Sequence, residues 1–153
     1  MIDDSAPRPQ KLRILIVEDE ILLAIELEYV LQELGHKIVG IAASSADAMA
    51  LAVKTQPDLA LVDIHLNDGP TGVAVATALA DMGDTRVVFM SANINRIPND
   101  YAGAVGYIGK PYTENGLRSA IAYLREGIFN PPPDGSKPNS LVLSPTFASA
   151  WAT

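Results

Sequence analysis

At 153 residues, with 18 acids against 11 bases and a formal charge of −7, the chain is sized for one domain plus a tail and shows no basic run of the kind that grips nucleic acid. Cysteine is absent and only two histidines, His36 and His65, are present, which excludes disulfides and thiolate metal sites and leaves too little for a zinc site. The opening MIDDSAPRPQ lacks the apolar core of a secretory signal and no run approaches a membrane span, so the expected setting is the cytoplasm.

Residues 1–10 read as a flexible N-terminus. Leu12 to Val17 then reads as a strand that is apolar on both faces, as a central parallel strand should be. From Glu20 to Leu34 the spacing predicts a helix with Leu23, Leu27, Val30, Leu31 and Leu34 on one face, ended by Gly35. HKIVGIA is a second strand. SSADAMALAVKT is a helix with Ser44 and Asp47 at capping-box spacing, closed by Pro57. DLALVD is the third strand, HLNDGPTG a loop of turn formers, and GVAVATALADM a third helix begun by Pro70 or Thr71. TRVVFM is the fourth strand. SANINRIPNDYAGA is irregular, VGYIG is the fifth strand, and TENGLRSAIAYLREGI is a helix capped by Thr113. The alternation predicts an α/β fold with a doubly wound, five-stranded parallel sheet over residues 11–129. Residues 130–140 read as a proline-rich linker and 141–153 as an apolar tail.

Ligands in such sheets bind outside the carboxyl ends of the strands. The residues there are Glu18 and Asp19 after the first strand, Asp63 at the end of the third, Ser91 after the fourth and Lys110 after the fifth. Three carboxylates in one crevice repel one another unless a cation offsets them, and an all-oxygen donor set suits Mg²⁺. Lys110 and Ser91 add an ammonium and a hydroxyl suited to a phosphoryl group. Each residue taken alone has a plainer reading. Glu18 and Asp19 suit a helix start, Asp63 suits a turn, Lys110-Pro111 suits a solvated loop end, and Tyr107 suits the core. It is their joint placement at strand ends that favours a site.

The motifs LIVEDE, LALVDIHL, VVFMSA and GAVGYIGKP, in this order over about Leu12 to Gly127, resemble the receiver domain of bacterial response regulators. The resemblance implies a flavodoxin-like fold of the receiver type. It makes Asp63 the acceptor of a phosphoryl group from a histidine kinase or phosphotransfer protein, with Lys110 and Ser91 in the reaction. Mg²⁺ would be held by Glu18, Asp19, Asp63 and the backbone carbonyl of His65. Ser91 and Tyr107 would form the switch, with Ala92, Asn93 and Pro111 flanking the site. A receiver takes up phosphate on itself and is not a turnover enzyme on external substrates. It signals through protein contacts, here to an unidentified target, with no nucleic acid or membrane partner. A homodimer through the tail or the strand-five face is a further expectation.

Only 19 positions separate Ser91 from Lys110. That is short of the usual receiver by about one helical turn, and Pro98 interrupts the stretch. The fourth helix of the pattern is therefore predicted to be short, distorted or absent. The stretch from Met90 to Leu117 and NDGPTG are similar to single-domain regulators associated with alphaproteobacterial stress and light-sensing kinases. Three alternatives stand beside the receiver reading. A phosphatase of the haloacid-dehalogenase type also uses an aspartate nucleophile at a strand end, but its second acid, two residues on, is His65 here. A phosphate sink would take up the phosphoryl group within a relay, and a degenerate interaction module would keep the fold alone. In the tail, LVLSP suits a sheet edge or a groove with Phe147 and Trp151 as anchors, against a disordered end.

Overall fold

In the computed structural model, which describes residues 10–152, Arg13–Val17 forms β1, an interior strand of the sheet. Its alternating side chains feed two cores. Ile14 and Ile16 join one side, and Leu15 and Val17 the other, all fully buried. The expected flexible N-terminus at residues 1–10 lies outside the described residues except for Gln10.

Helix α1 (Ile21–Glu33) buries Ala24, Leu27, Val30 and Leu31 and ends before Gly35, whose φ of +92° favours glycine. β2 (Lys37–Ala42) leads into α2 (Ser45–Thr55), where the Ser44 hydroxyl accepts from the Asp47 amide, as the capping pattern requires. β3 (Leu59–Asp63) is buried until its last residue. Helix α3 spans Gly72–Met82 and β4 spans Arg86–Ser91.

Between β4 and β5 (Gly106–Gly109) no regular helix forms. Two 3₁₀ turns, Ile94–Arg96 and Tyr101–Gly103, fill the crossover, in keeping with the shortened spacing. Tyr101 and Ala102 hold φ values of +56° and +50°, followed by Gly103 at +82°, a left-handed run that no helix can contain. Helix α4 (Glu114–Phe129) follows β5, capped by the Thr113 hydroxyl accepting from the Gly116 amide.

The strand order β2-β1-β3-β4-β5 is that of a flavodoxin-like doubly wound fold, with α1 and α4 on one face and α2 and α3 on the other. The sheet does not stop at five parallel strands. Leu141–Leu143 adds as β6, antiparallel to β5, pairing Tyr107 with Val142 and Ile108 with Leu141. LVLSP suits a sheet edge and takes one here; three apolar residues beyond a polyproline stretch are too short a pattern to be counted with the five main strands, so the count rises to six. A short helix α5 (Pro145–Ala150) then seats Trp151, only 6% exposed, against Tyr123 and Phe147 at ring distances of 6.0 and 5.4 Å. The Arg86 guanidinium lies 5.4 Å above the Phe147 ring. Among the described residues no helix is long and apolar enough to cross a membrane.

Candidate functional site

The carboxyl ends of β1, β3, β4 and β5 lie side by side, so register alone brings their end residues together. β3 pairs Asp63 with Met90 of β4, and β4 pairs Ser91 with Gly109 of β5, one residue before Lys110. The Lys110 ammonium donates to Glu18 Oε1 at 2.6 Å and to Asp63 Oδ2 at 2.9 Å. One carboxylate oxygen each from Glu18, Asp19 and Asp63 lies within 4.8 Å of the others. These contacts span 47 to 92 residues of sequence, so only the assembled sheet creates them.

The plainer readings of the acids coexist with the site. Glu18 Oε2 accepts from the Glu20 amide at the start of α1 at 3.3 Å, and Asp63 Oδ1 accepts from the His65 amide at 3.2 Å. In each case one oxygen shapes the turn and the other meets Lys110.

Burial is the largest influence on Glu18, which is 4% exposed, and pushes its carboxyl up to about 7. The Lys110 hydrogen bond pulls the other way and the Asp63 carboxylate adds to the rise. Burial alone would depress the Lys110 ammonium, but its bonds to Asp63 and Glu18 outweigh that and hold it above the ordinary lysine range. One ammonium faces three carboxylates, so the cluster has oxygen donors and negative charge to spare. That fits a hard divalent cation.

The Ser91 hydroxyl is buried and turned to the backbone of Asn93, accepting from its amide at 3.0 Å and donating to its carbonyl at 3.2 Å. Tyr107 is half-buried and stacks on Tyr101 at 6.3 Å. Ala92, Asn93 and Pro111 are exposed around the rim, as is His65.

Three contributors escaped the sequence reading. The Asp68 carboxylate accepts from the Ser45 amide and hydroxyl and, at 2.7 Å, from the Thr71 hydroxyl, tying the loop after β3 to the starts of α2 and α3. These bonds hold the Asp68 carboxyl below the usual carboxylate range, the Ser45 hydroxyl foremost. The Asp-x-x-Thr spacing was a signal for it, read only as turn chemistry. Gly72 is the second. A methyl there would sit 2.1 Å from the Asp63 carbonyl oxygen, so α3 starts in direct contact with the end of β3. A glycine opening a helix was the available hint. Tyr101, the platform for Tyr107, is the third, and no periodicity marks it.

With the geometry in place, comparison with known proteins places the chain. The response regulator receiver domain matches residues 14–122, and the chain belongs to that family. PhyR, the phyllosphere-induced regulator of Methylorubrum extorquens, is 32% identical over 111 residues, covering 71% of this chain and 42% of PhyR. The transcriptional regulatory protein PdtaR of Mycobacterium tuberculosis is 33% identical over 122 residues, covering 78% of this chain and 57% of PdtaR. The chain thus spans about half the length of these relatives. The receiver domain of Erythrobacter litoralis PhyR superposes with a TM-score of 0.69 at 30% identity, covering 83% of this chain and 95% of that domain.

Proposed function

We propose that Asp63 accepts a phosphoryl group from a phosphohistidine on a histidine kinase or phosphotransfer protein, and that the chain signals through protein contacts. The observation that carries this reading is the Asp63 carboxylate at a strand end, 2.9 Å from Lys110 and grouped with Glu18 and Asp19. An Asp63 oxygen attacks phosphorus as the P–N bond to the imidazole breaks. The bonding pair leaves with the ring nitrogen, which takes a proton from water. Lys110, already at Asp63, binds an oxygen of the arriving group and offsets its charge. Glu18, Asp19 and Asp63, with the His65 carbonyl, would hold Mg²⁺, which when bound neutralises charge on the transferring group.

The Ser91 hydroxyl would leave the Asn93 backbone for a phosphoryl oxygen, and Tyr107 would leave its stack on Tyr101 to follow it. The added charge is roughly −1.5 to −2, enough to bias such a two-state element. Uptake is stoichiometric, which suits a switch and not a turnover enzyme, and the setting is the cytoplasm.

A docking surface for the phosphodonor lies beside the site. Ile21 and Leu22 at the start of α1 are 71% and 74% exposed. A cavity of about 490 Å³ between α1 and α4, lined by Ile25, Tyr29 and Tyr112, shares Glu26 and Tyr112 with a second of about 470 Å³ lined by Leu23, Pro111 and Lys110. Exposed apolar area of this extent marks contact with another protein.

The test is incubation with acetyl phosphate and Mg²⁺, followed by intact mass, on wild type and Asp63→Asn. Wild type gains one phosphoryl group only with Mg²⁺, and Asp63→Asn gains none. If wild type stays unmodified by both acetyl phosphate and a candidate kinase, the reading fails.

A further inference from the structure

We propose that the edge of β5 and a notch at Gly127 form an interaction surface occupied by the chain's own tail, and that modification of Asp63 loosens that tail. The tail is residues 139–152, comprising β6, α5 and Trp151. The inference rests on the phosphoacceptor reading of Asp63.

The receiver body is shaped to take this segment. A methyl at Gly106 of β5 would lie 2.0 Å from the Val142 carbonyl oxygen, and one at Gly127 of α4 would lie 2.5–2.7 Å from the Trp151 ring. Two glycines on separate elements therefore leave the room that β6 and Trp151 fill, with less than a methyl group to spare. The polar anchors are specific as well. The Ser140 hydroxyl donates to the Gly116 carbonyl at 2.7 Å, and the Ser144 amide donates to the Val105 carbonyl at 2.8 Å. An apolar strand seated on a sheet edge with an aromatic anchor is a known mode of peptide recognition, here made within one chain.

The same strand carries the site. β5 is four residues long, with β4 on one side and β6 on the other. Tyr107 pairs with Phe89 across one edge and Val142 across the other, and Lys110 follows β5 directly. Asn139, Ser140 and Val142 of the tail share a cavity of about 400 Å³ with Tyr107, Lys110 and Tyr112. In the unmodified state these anchors are all made while Lys110 is bound to Glu18 and Asp63. Docking is thus fitted to the resting position of β5. Drawing Lys110 and Tyr107 toward a phosphoryl group shifts β5 against α4, and a fit without slack loses contacts. The sign of the coupling is therefore release.

Chymotrypsin cleavage at Phe147 in the full-length protein reads the open population, because a docked tail is a poor substrate. Beryllofluoride with Mg²⁺ mimics the modified state, and its binding is followed by ¹⁹F NMR in the same samples. The expected result is a rise in initial cleavage rate of about fivefold or more on beryllofluoride binding, a typical allosteric factor, and no rise in Asp63→Asn. Bound beryllofluoride with an unchanged or slower rate overturns the coupling while leaving the phosphoacceptor reading intact. Absence of binding overturns that reading, and the coupling with it. Gly127→Ala should raise cleavage without beryllofluoride yet still bind it, and cleavage at the wild-type rate would remove the notch from the surface. If Gly127→Ala fails to fold, Trp151→Ala tests the same contact with the same two outcomes.

Discussion

A methyl group at position 72 would meet the backbone of the phosphoacceptor strand. Alanine ordinarily outranks glycine in a helix by about 1 kcal/mol, but overpacking costs about 1–3 kcal/mol, and at 2.1 Å from the Asp63 carbonyl the clash prevails. Gly72→Ala should therefore lower stability in urea denaturation and slow phosphoryl uptake together. His36 gives a second case. It is buried, and its Nδ1 accepts from the Leu12 amide at 3.0 Å, which requires the neutral ring. Burial foremost, then Arg125 and Lys11, lowers its affinity for a proton below the ordinary value of 6.5. The unfolded chain thus takes up this proton first as pH falls. The stability His36 contributes is complete above about 6.5 and is lost as pH drops from there through the lower folded value. Glu18, held at about 7 in the folded state, gains stability over the same range, so the His36 effect is read as a difference: from pH 7 to 5 the urea midpoint of wild type should drop relative to that of His36→Asn, whose carbonyl can accept in place of Nδ1. The acids of the site were legible as strand-end residues. That Lys110 binds Glu18 as closely as Asp63 was not, because nothing in the sequence encodes a reach across 92 positions.

The regular elements were legible wherever period and punctuation agreed. Helix α3 has the bounds the sequence suggested, and α2 carries its expected Ser44 cap. The missing fourth helix was legible too, since a count of residues between two anchored motifs limits what the crossover can hold. The strand count fell short by one, because the three residues of β6 offer no period and its stability comes from the edge it joins, although LVLSP suits a sheet edge with Phe147 and Trp151 as anchors and takes that place. Element ends also show where the chain is not optimal. Helix α2 closes on Gln56 at φ +48°, in the left-handed region that glycine occupies without penalty. Gln56→Gly should stabilise the protein by about 0.5–1 kcal/mol, seen as a raised urea midpoint. An unchanged or lowered midpoint would mean that Gln56 makes compensating contacts.

At the scale of the molecule, the tail closes one side of the sheet. Deleting residues 139–153 would leave the outer edge of β5 unpaired and Tyr123 and Gly127 uncovered. Unpaired edges recruit other strands, so sedimentation equilibrium should show the truncated chain associating as concentration rises where the full chain does not. A truncated chain that stays monomeric would show that β5 is too short to template pairing. The opposite lesson comes from the crossover between β4 and β5. Two 3₁₀ turns and a run of left-handed residues stand where the other crossovers have helices of 11 to 13 residues. Such a segment has few backbone bonds of its own to lose when it lifts away. Amide hydrogen exchange in residues 92–104 is therefore expected to run faster than in the helical crossovers, and exchange as slow as in α2 or α3 would count against a soft segment there. Ser91 and Tyr107 border that segment and Tyr101 lies within it, so the side chains expected to rearrange stand where no regular helix holds the crossover.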